Sequence, residues 1–313
     1  MLFKKYNHNI YIINSEYLFI IYQKYIMDND IIKRLKKINH IYLSGGAFGV
    51  IYQMGALNKL SKYLKKYNIT QKPIIYGDSV GALIGMLFLL GMKSSKQMDI
   101  YMDIYKLATK RISEKPFSVS SYYLTEYPLK ILRLINEEYP DAYRIVTDKL
   151  FIGVVLLHKD GHCEKKWYSK FKNQKDFFNI LLCSFNIPFL STYDAKIVDN
   201  GNTMLAMDGC LRQEKLPDGI LRIINGNNEG ELVGNISLYE SLVPPTKDGI
   251  THYYEKGKEE MKKKICNDEN TTASIRNYFA SSSLPLFMLS FLRRNTQNIN
   301  TKHNLDSIFE DRY

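Results

Sequence analysis

The chain has 313 residues, 45% of them hydrophobic, which is enough to fill the core of one large α/β domain or two small ones, and a single domain with an embellished tail is expected. A formal charge of +11 favours an anionic partner; because the basic residues are dispersed and no helix-turn-helix, zinc-finger or RNP pattern occurs, phospholipid head groups are favoured and no nucleic acid is expected. Four widely separated cysteines, Cys163, Cys183, Cys210 and Cys266, form no C-x-x-C pair and no metal-ligand cluster, which points to a reducing compartment, no structural zinc and a cytoplasmic location.

Residues 9–26 are apolar but interrupted by Asn14, Glu16 and Lys24, so no run is long enough to span a bilayer, and no small-residue cleavage site follows. An extra helix or strand is expected there, then a short basic helix from Asp28 to Lys37, both within an N-terminal extension over residues 1–38. A strand from His40 to Leu43 leads into Ser44-Gly45-Gly46-Ala47-Phe48-Gly49, and Ile51, Met54, Leu57, Leu60 and Leu64 recur at helical spacing after it. This strand, glycine loop and helix would let backbone N–H groups meet an anion. No Gly-Lys-Ser/Thr follows, and the glycine spacing is wrong for a dinucleotide fingerprint. An oxyanion hole built on Gly45, Gly46 and Ala47 is the functional reading, a tight turn the bland one.

The next unit is the most informative. Ile74 to Tyr76 reads as a buried strand and Ala82 to Leu90 as a buried helix, with Gly77-Asp78-Ser79-Val80-Gly81 between them. A serine on so sharp a strand-to-helix turn is strained, and glycine two positions before and after it removes collisions with the opposite arm. The helix N-terminus then faces developing negative charge. From Gly46 to Ser79 is one strand–helix–strand unit, roughly 30 residues, so both loops should emerge at the same edge of neighbouring parallel strands.

Residues 92–150 are helical in pattern, with Ser94 or Ser95 capping one helix and Thr125 another. Leu150 to Leu157 is an apolar strand, and Lys159-Asp160-Gly161-His162 a hairpin turn. Lys165 to Lys172 mixes lysines with aromatics, including Trp167, the single tryptophan; a solvated outer strand is favoured over a membrane-docking segment. Leu221 to Ile224 reads as a core strand, and Ile250 to Cys266 as a last long helix opening a C-terminal extension over 251–313. The apolar run Leu284 to Leu292 could pack on the core or touch lipid, and a polar end follows from Arg293.

Taken in order, Leu43-Ser44-Gly45-Gly46, Gly55-Ala56-Leu57 and Gly77-Asp78-Ser79-Val80-Gly81 resemble the patatin-like phospholipases. Asn179 to Leu190, with Ser184 and Pro188, is similar to that family's helix-to-proline segment and precedes Asp208-Gly209. Of the Asp-Gly pairs after Ser79, only Asp208 stands shortly after that segment and at the end of a strand, Met204 to Met207. The resemblance covers roughly residues 40–225. It implies a three-layer α/β/α sandwich with a mostly parallel central sheet over residues 39–250. It further implies a Ser79–Asp208 dyad without histidine, and hydrolysis of acyl esters of phospholipids or other glycerolipids through an acyl-enzyme, with no cofactor or metal. Peripheral contact with an anionic membrane surface accords with the charge. The first loop departs from the family pattern at Ala47 and Gly49, where a third glycine and then a basic residue are usual, and at Val50, which stands at a later glycine position; Cys210 follows Asp208-Gly209 where a second small residue such as glycine is commoner.

Two rivals remain. A Ser79, Asp208, His252 triad has the right chain order for an ordinary α/β-hydrolase, although no motif flanks His252. A catalytically weak lipid-surface binding protein on the same fold is the other.

Overall fold

The computed structural model describes residues 15–114, 119–158, 161–187, 195–199, 202–212, 214–226 and 231–266. The chain divides into a unit ending at Ile265 and a second from Cys266 onward, and the described fold belongs to the first. Pro188 to Leu190, the Asp160 turn position and the apolar run Leu284 to Leu292 lie outside the described residues.

The architecture is α/β with a mostly parallel mixed sheet. Strands β1 (His40–Leu43), β2 (Ile74–Asp78), β3 (Leu150–Leu157), β7 (Leu221–Ile224) and β8 (Leu232–Val233) run parallel in the order β3-β2-β1-β7-β8. Strands β4 (Cys163–Tyr168), β5 (Lys196–Asp199) and β6 (Asn202–Asp208) add antiparallel pairings, β4 and β6 on β3 and β5 on β6. The hairpin joining β3 to β4 is as expected, with the His158 N–H bonded to the His162 carbonyl at 2.8 Å. Parallel neighbours need crossover helices. These are α2 (Val50–Lys66) between β1 and β2, and α3 (Val80–Leu90), α4 (Ser94–Glu114), α5 (Val119–Glu138) and α6 (Ala142–Val146) between β2 and β3. α7 (Gln174–Cys183), α8 (Leu238–Leu242) and α9 (Lys247–Cys266) follow, after α1 (Ser15–Lys37) at the start.

Strand alternation gives the sheet two unlike faces. Ile41, Leu43, Ile75, Leu150, Ile152 and Ile223 are fully buried. α3 lies against them at Gly85, where an added Cβ would come within 2.5 Å of Ile75 Cγ2. Its residues from Gly81 to Leu89 are all buried, which is why this helix is apolar on every side. The opposite face carries Tyr42, Tyr76, Phe151, Trp167 and Arg222. Tyr76 stacks on Phe151 at 4.6 Å between centroids and meets Trp167 edge-on at 5.3 Å. Helices with this sheet are compatible with a three-layer sandwich.

Several boundaries differ from expectation. From Ser15 onward the apolar N-terminal stretch and the basic helix join into one helix, α1, without a break at Met27. α5 begins at Val119, before Thr125, and carries Pro128 in its interior. The expected domain boundary at residue 250 falls inside α9, which packs backbone to backbone on α2: a Cβ on Gly257 would sit 2.1 Å from the Tyr52 carbonyl oxygen, and one on Gly55 2.0 Å from that of Tyr254. The four cysteines are free thiols. Among the described residues no helix is long and apolar enough to cross a membrane.

Candidate active site

Ser79 follows the last residue of β2 directly and precedes α3. Its backbone, at φ 53 and ψ −130, lies in a region that non-glycine residues avoid, at a cost of about 1–3 kcal/mol held by the surrounding packing. Gly77 is required by the opposite arm, since its Cβ would lie 2.5 Å from Ala82 Cα. Gly81 is required for a different reason from the one expected: its Cβ would strike the Leu43 carbonyl oxygen, 2.3 Å away, on neighbouring β1. The elbow is therefore wedged against the strand that feeds the glycine loop.

Sheet register brings Asp208 to the same place. On β3, Gly153 pairs with Asp78 of β2 and the adjacent Val154 pairs with Asp208 of β6. Because β4 occupies the other edge of β3 through the same residues, β2 and β6 share one edge and meet tip to tip. The turn after α7 braces this junction. Ser184, fully buried, accepts the Ser79 N–H at 2.9 Å and donates to the Gly153 carbonyl at 2.8 Å. Two residues on, the Asn186 carbonyl accepts the Asp208 N–H at 2.7 Å, and the Asn186 side chain donates to the Ala206 carbonyl at 2.6 Å.

Asp208 is 2% exposed. Burial raises its carboxyl from an ordinary 3.8 to about 6; hydrogen bonds from the Ser79 hydroxyl and from Cys210 hold it down, and the Asp78 carboxylate pushes the same way as burial. One of those bonds is the Cys210 N–H to Oδ1, at 2.8 Å. A buried carboxyl beside a serine hydroxyl, with a proton affinity near neutrality, is suited to taking that serine's proton.

The glycine loop leans on this pair. A Cβ on Gly45 would be 3.0 Å from Ser79 Cβ and 2.3 Å from Cys210 Sγ, so only glycine fits. Gly46 adopts φ 134 and Ala47 φ 38, turning the chain into a short 3-10 turn from Ala47 to Gly49. Among the described residues no hydrogen bond occupies the Gly46 or Ala47 N–H. At Gly49, where a basic residue would be usual in the resembling family, an added Cβ would already meet Ser241 Oγ at 3.0 Å and Asn225 Cβ at 3.3 Å.

Two residues that sequence reasoning missed hold the loop. Asn225 gives its N–H to Ser44 Oγ at 3.0 Å and its side-chain amide to the Gly45 carbonyl at 3.0 Å. Gln53, fully buried on α2, donates to the Ser44 carbonyl at 2.8 Å. The available signals were a polar residue immediately after the apolar strand β7, and a glutamine within the apolar stretch of α2.

β4 is an antiparallel outer strand with Glu164 and Lys166 partly exposed, as expected, but a further cluster overturns the expectation of solvent at Lys165. Lys165 and Asp78 form an ion pair of 2.7 Å, with side chains 3% and 1% exposed. Tyr42 donates to the same Asp78 oxygen at 2.8 Å, and the Lys165 ammonium lies 4.6 Å from the Trp167 ring centroid. Burial raises the Asp78 carboxyl, while Lys165 and Tyr42 draw it back. Asp78 Oδ1 points where Cβ atoms on Gly153 and Gly209 would stand, at 1.9 and 2.4 Å, which explains glycine after Asp208.

His252 is exposed on α9 with its ring against Tyr253. The partners that act on Asp208 are Ser79, Cys210 and Asp78. The scan against models of known families matches none, and the search of curated proteins returns no relative.

Proposed function

We propose that the chain is a lipid acyl hydrolase of the patatin-like type, with the three-layer sandwich of that family, cleaving fatty-acyl esters of glycerophospholipids or related glycerolipids. One observation carries this reading: a serine strained into an elbow at the tip of β2, with the buried Asp208 carboxyl brought beside it by the sheet register. In the reaction, Ser79 Oγ attacks the ester carbonyl carbon and its proton passes to Asp208. Charge gathering on the carbonyl oxygen meets the Gly46 and Ala47 N–H groups, with the positive end of α3 behind Ser79. Collapse of the tetrahedral adduct breaks the ester bond, and the departing alcohol takes the proton from Asp208. Water then attacks the acyl-enzyme, again giving its proton to Asp208, and release of the fatty acid restores Ser79 with that proton.

The exposed placement of His252 favours the dyad over a triad. Anionic bilayers are the expected surface of action, given the +11 charge. The test is fatty-acid release from a panel of phospholipids, with fluorophosphonate labelling of Ser79. Activity in the wild type and none in Ser79→Ala supports the reading; liposome binding without any release refutes it in favour of a binding protein.

A further inference from the structure

Beside the elbow, on the sheet face turned away from α3, lies a cavity of about 400 Å³. Its wall includes Gly45 and Gly46 of the loop that touches Ser79, so nucleophile and cavity are separated by one stretch of backbone. Three cations, Lys165, Arg212 and Arg222, face two carboxylates, Asp78 and Glu214. Lys165 and Asp78 neutralise each other, while Arg212 and Glu214 are exposed. Arg222 remains.

Arg222 is in the middle of the sheet, opposite Tyr42 in register, and half-buried. Its Nε is shut off from solvent and has no hydrogen-bond partner. No carboxylate among the described residues pairs with it. Holding a partly desolvated guanidinium without an anion is unfavourable, and an anion entering the cavity would relieve that cost. Further groups converge there. Asn225, 1% exposed, lines the cavity and has an unpartnered Oδ1 able to accept from a hydroxyl. Ser44 brings a hydroxyl from the end of β1, and the Lys165 ammonium has more N–H donors than the one it gives Asp78.

We infer that this cavity binds a phosphate-bearing group, with Arg222 as its charge partner. Donors arriving from three separate strands suit a tetrahedral anion better than a planar carboxylate, which one guanidinium fork would satisfy. The volume suits an organic phosphate more than a bare ion, and Trp167 and Ile236 supply apolar walls for its carbon part. The phosphate is either the head group of the lipid whose ester reaches Ser79, which rests on the proposed hydrolase reading, or a free phosphomonoester, which does not.

Trp167, the single tryptophan, lines the cavity and serves as the reporter. The full chain is titrated with glycerol 3-phosphate, glycerol and acetate while Trp167 emission is followed. A saturable response to glycerol 3-phosphate, at least tenfold tighter than to acetate and absent for glycerol, is expected. It should weaken at least tenfold in Arg222→Gln and less in Arg222→Lys, with near-ultraviolet circular dichroism unchanged. No saturable response, equal affinity for acetate, or undiminished binding in a folded Arg222→Gln overturns the assignment. If neither variant folds, the three wild-type titrations decide alone. An ether-linked alkyl glycerophosphate, titrated into Ser79→Ala, separates the sources: binding at least tenfold tighter than glycerol 3-phosphate identifies a lipid head group, and equal binding a free phosphomonoester. None of these readouts needs turnover, so failure of ester hydrolysis and failure of the phosphate site are distinguished.

Discussion

Replacing Asp208 by asparagine should make the protein more stable above neutral pH, and the gain should vanish in acid. The folded-state pKa of about 6 stands above the ordinary 3.8, and the side chain is 2% exposed, so solvent screening is small. Between these two pH values the native state holds a proton that the unfolded chain has lost. The stability that comes with the protonated carboxyl is therefore fully present below the unfolded value and is lost as pH rises through 6. Each pH unit separating the folded from the unfolded value corresponds to about 1.4 kcal/mol, so the ionised carboxylate costs the native state on the order of 3 kcal/mol at about pH 8. Asparagine never ionises, and its carbonyl still accepts from Cys210 and Ser79. Urea denaturation of wild type and Asp208→Asn at a series of pH values measures the difference, in which all other titrating groups cancel. It should grow from near zero at about pH 4 to on the order of 3 kcal/mol at about pH 8. A difference that does not change with pH, or an asparagine variant less stable at about pH 8, would refute the argument from burial.

Lys165→Met leaves the Asp78 carboxylate buried beside Tyr42 alone and should cost about 3–5 kcal/mol in a urea melt; adding Asp78→Asn should recover part of that loss, and strictly additive costs would show that the pair is uncoupled. Ser184→Ala unpairs the buried Ser79 N–H and the Gly153 carbonyl, so thermal unfolding should report about 1–3 kcal/mol of destabilisation, and ester turnover should fall with it. Gly257→Ala drives a methyl into the Tyr52 carbonyl and should destabilise by about 1–3 kcal/mol; a neutral result would mean that α9 does not sit directly on α2. His252→Ala should leave fatty-acid release intact, and loss of turnover in a folded variant would restore the triad.

What could be read from the residues alone follows the range over which each determinant acts. The elbow was legible because Gly77 and Ser79 answer to local sterics, whereas the true demand on Gly81 comes from the β1 backbone; α2 was legible because Ile51, Met54, Leu57, Leu60 and Leu64 repeat on one face and are all buried. One face of strand β4 was misread for the opposite reason. Alternation puts Cys163, Lys165 and Trp167 on one side, but which side is inward depends on Asp78, 87 positions away in the chain. A lysine argues for solvent until its carboxylate is known. Gly257 in α9 offered only a weak helix position, since its partner is the backbone of another helix. The brace at Ser184 and Asn186 was located by resemblance, while its work, tying the tips of β2 and β6 to β3, required the register.

That register has a consequence for the order in which the molecule is made. β2 emerges early, and the strand that delivers Asp208 to its tip comes more than a hundred residues later. Contacts of such long range form slowly, since the intervening chain must first be closed into a loop. A nascent or partly folded chain can thus bury α3 and set Ser79 on its turn while the carboxyl partner is still absent. On the proposed hydrolase reading, competence is delayed until β6 docks, and Ser79 meets its carboxyl only when most of the domain is complete.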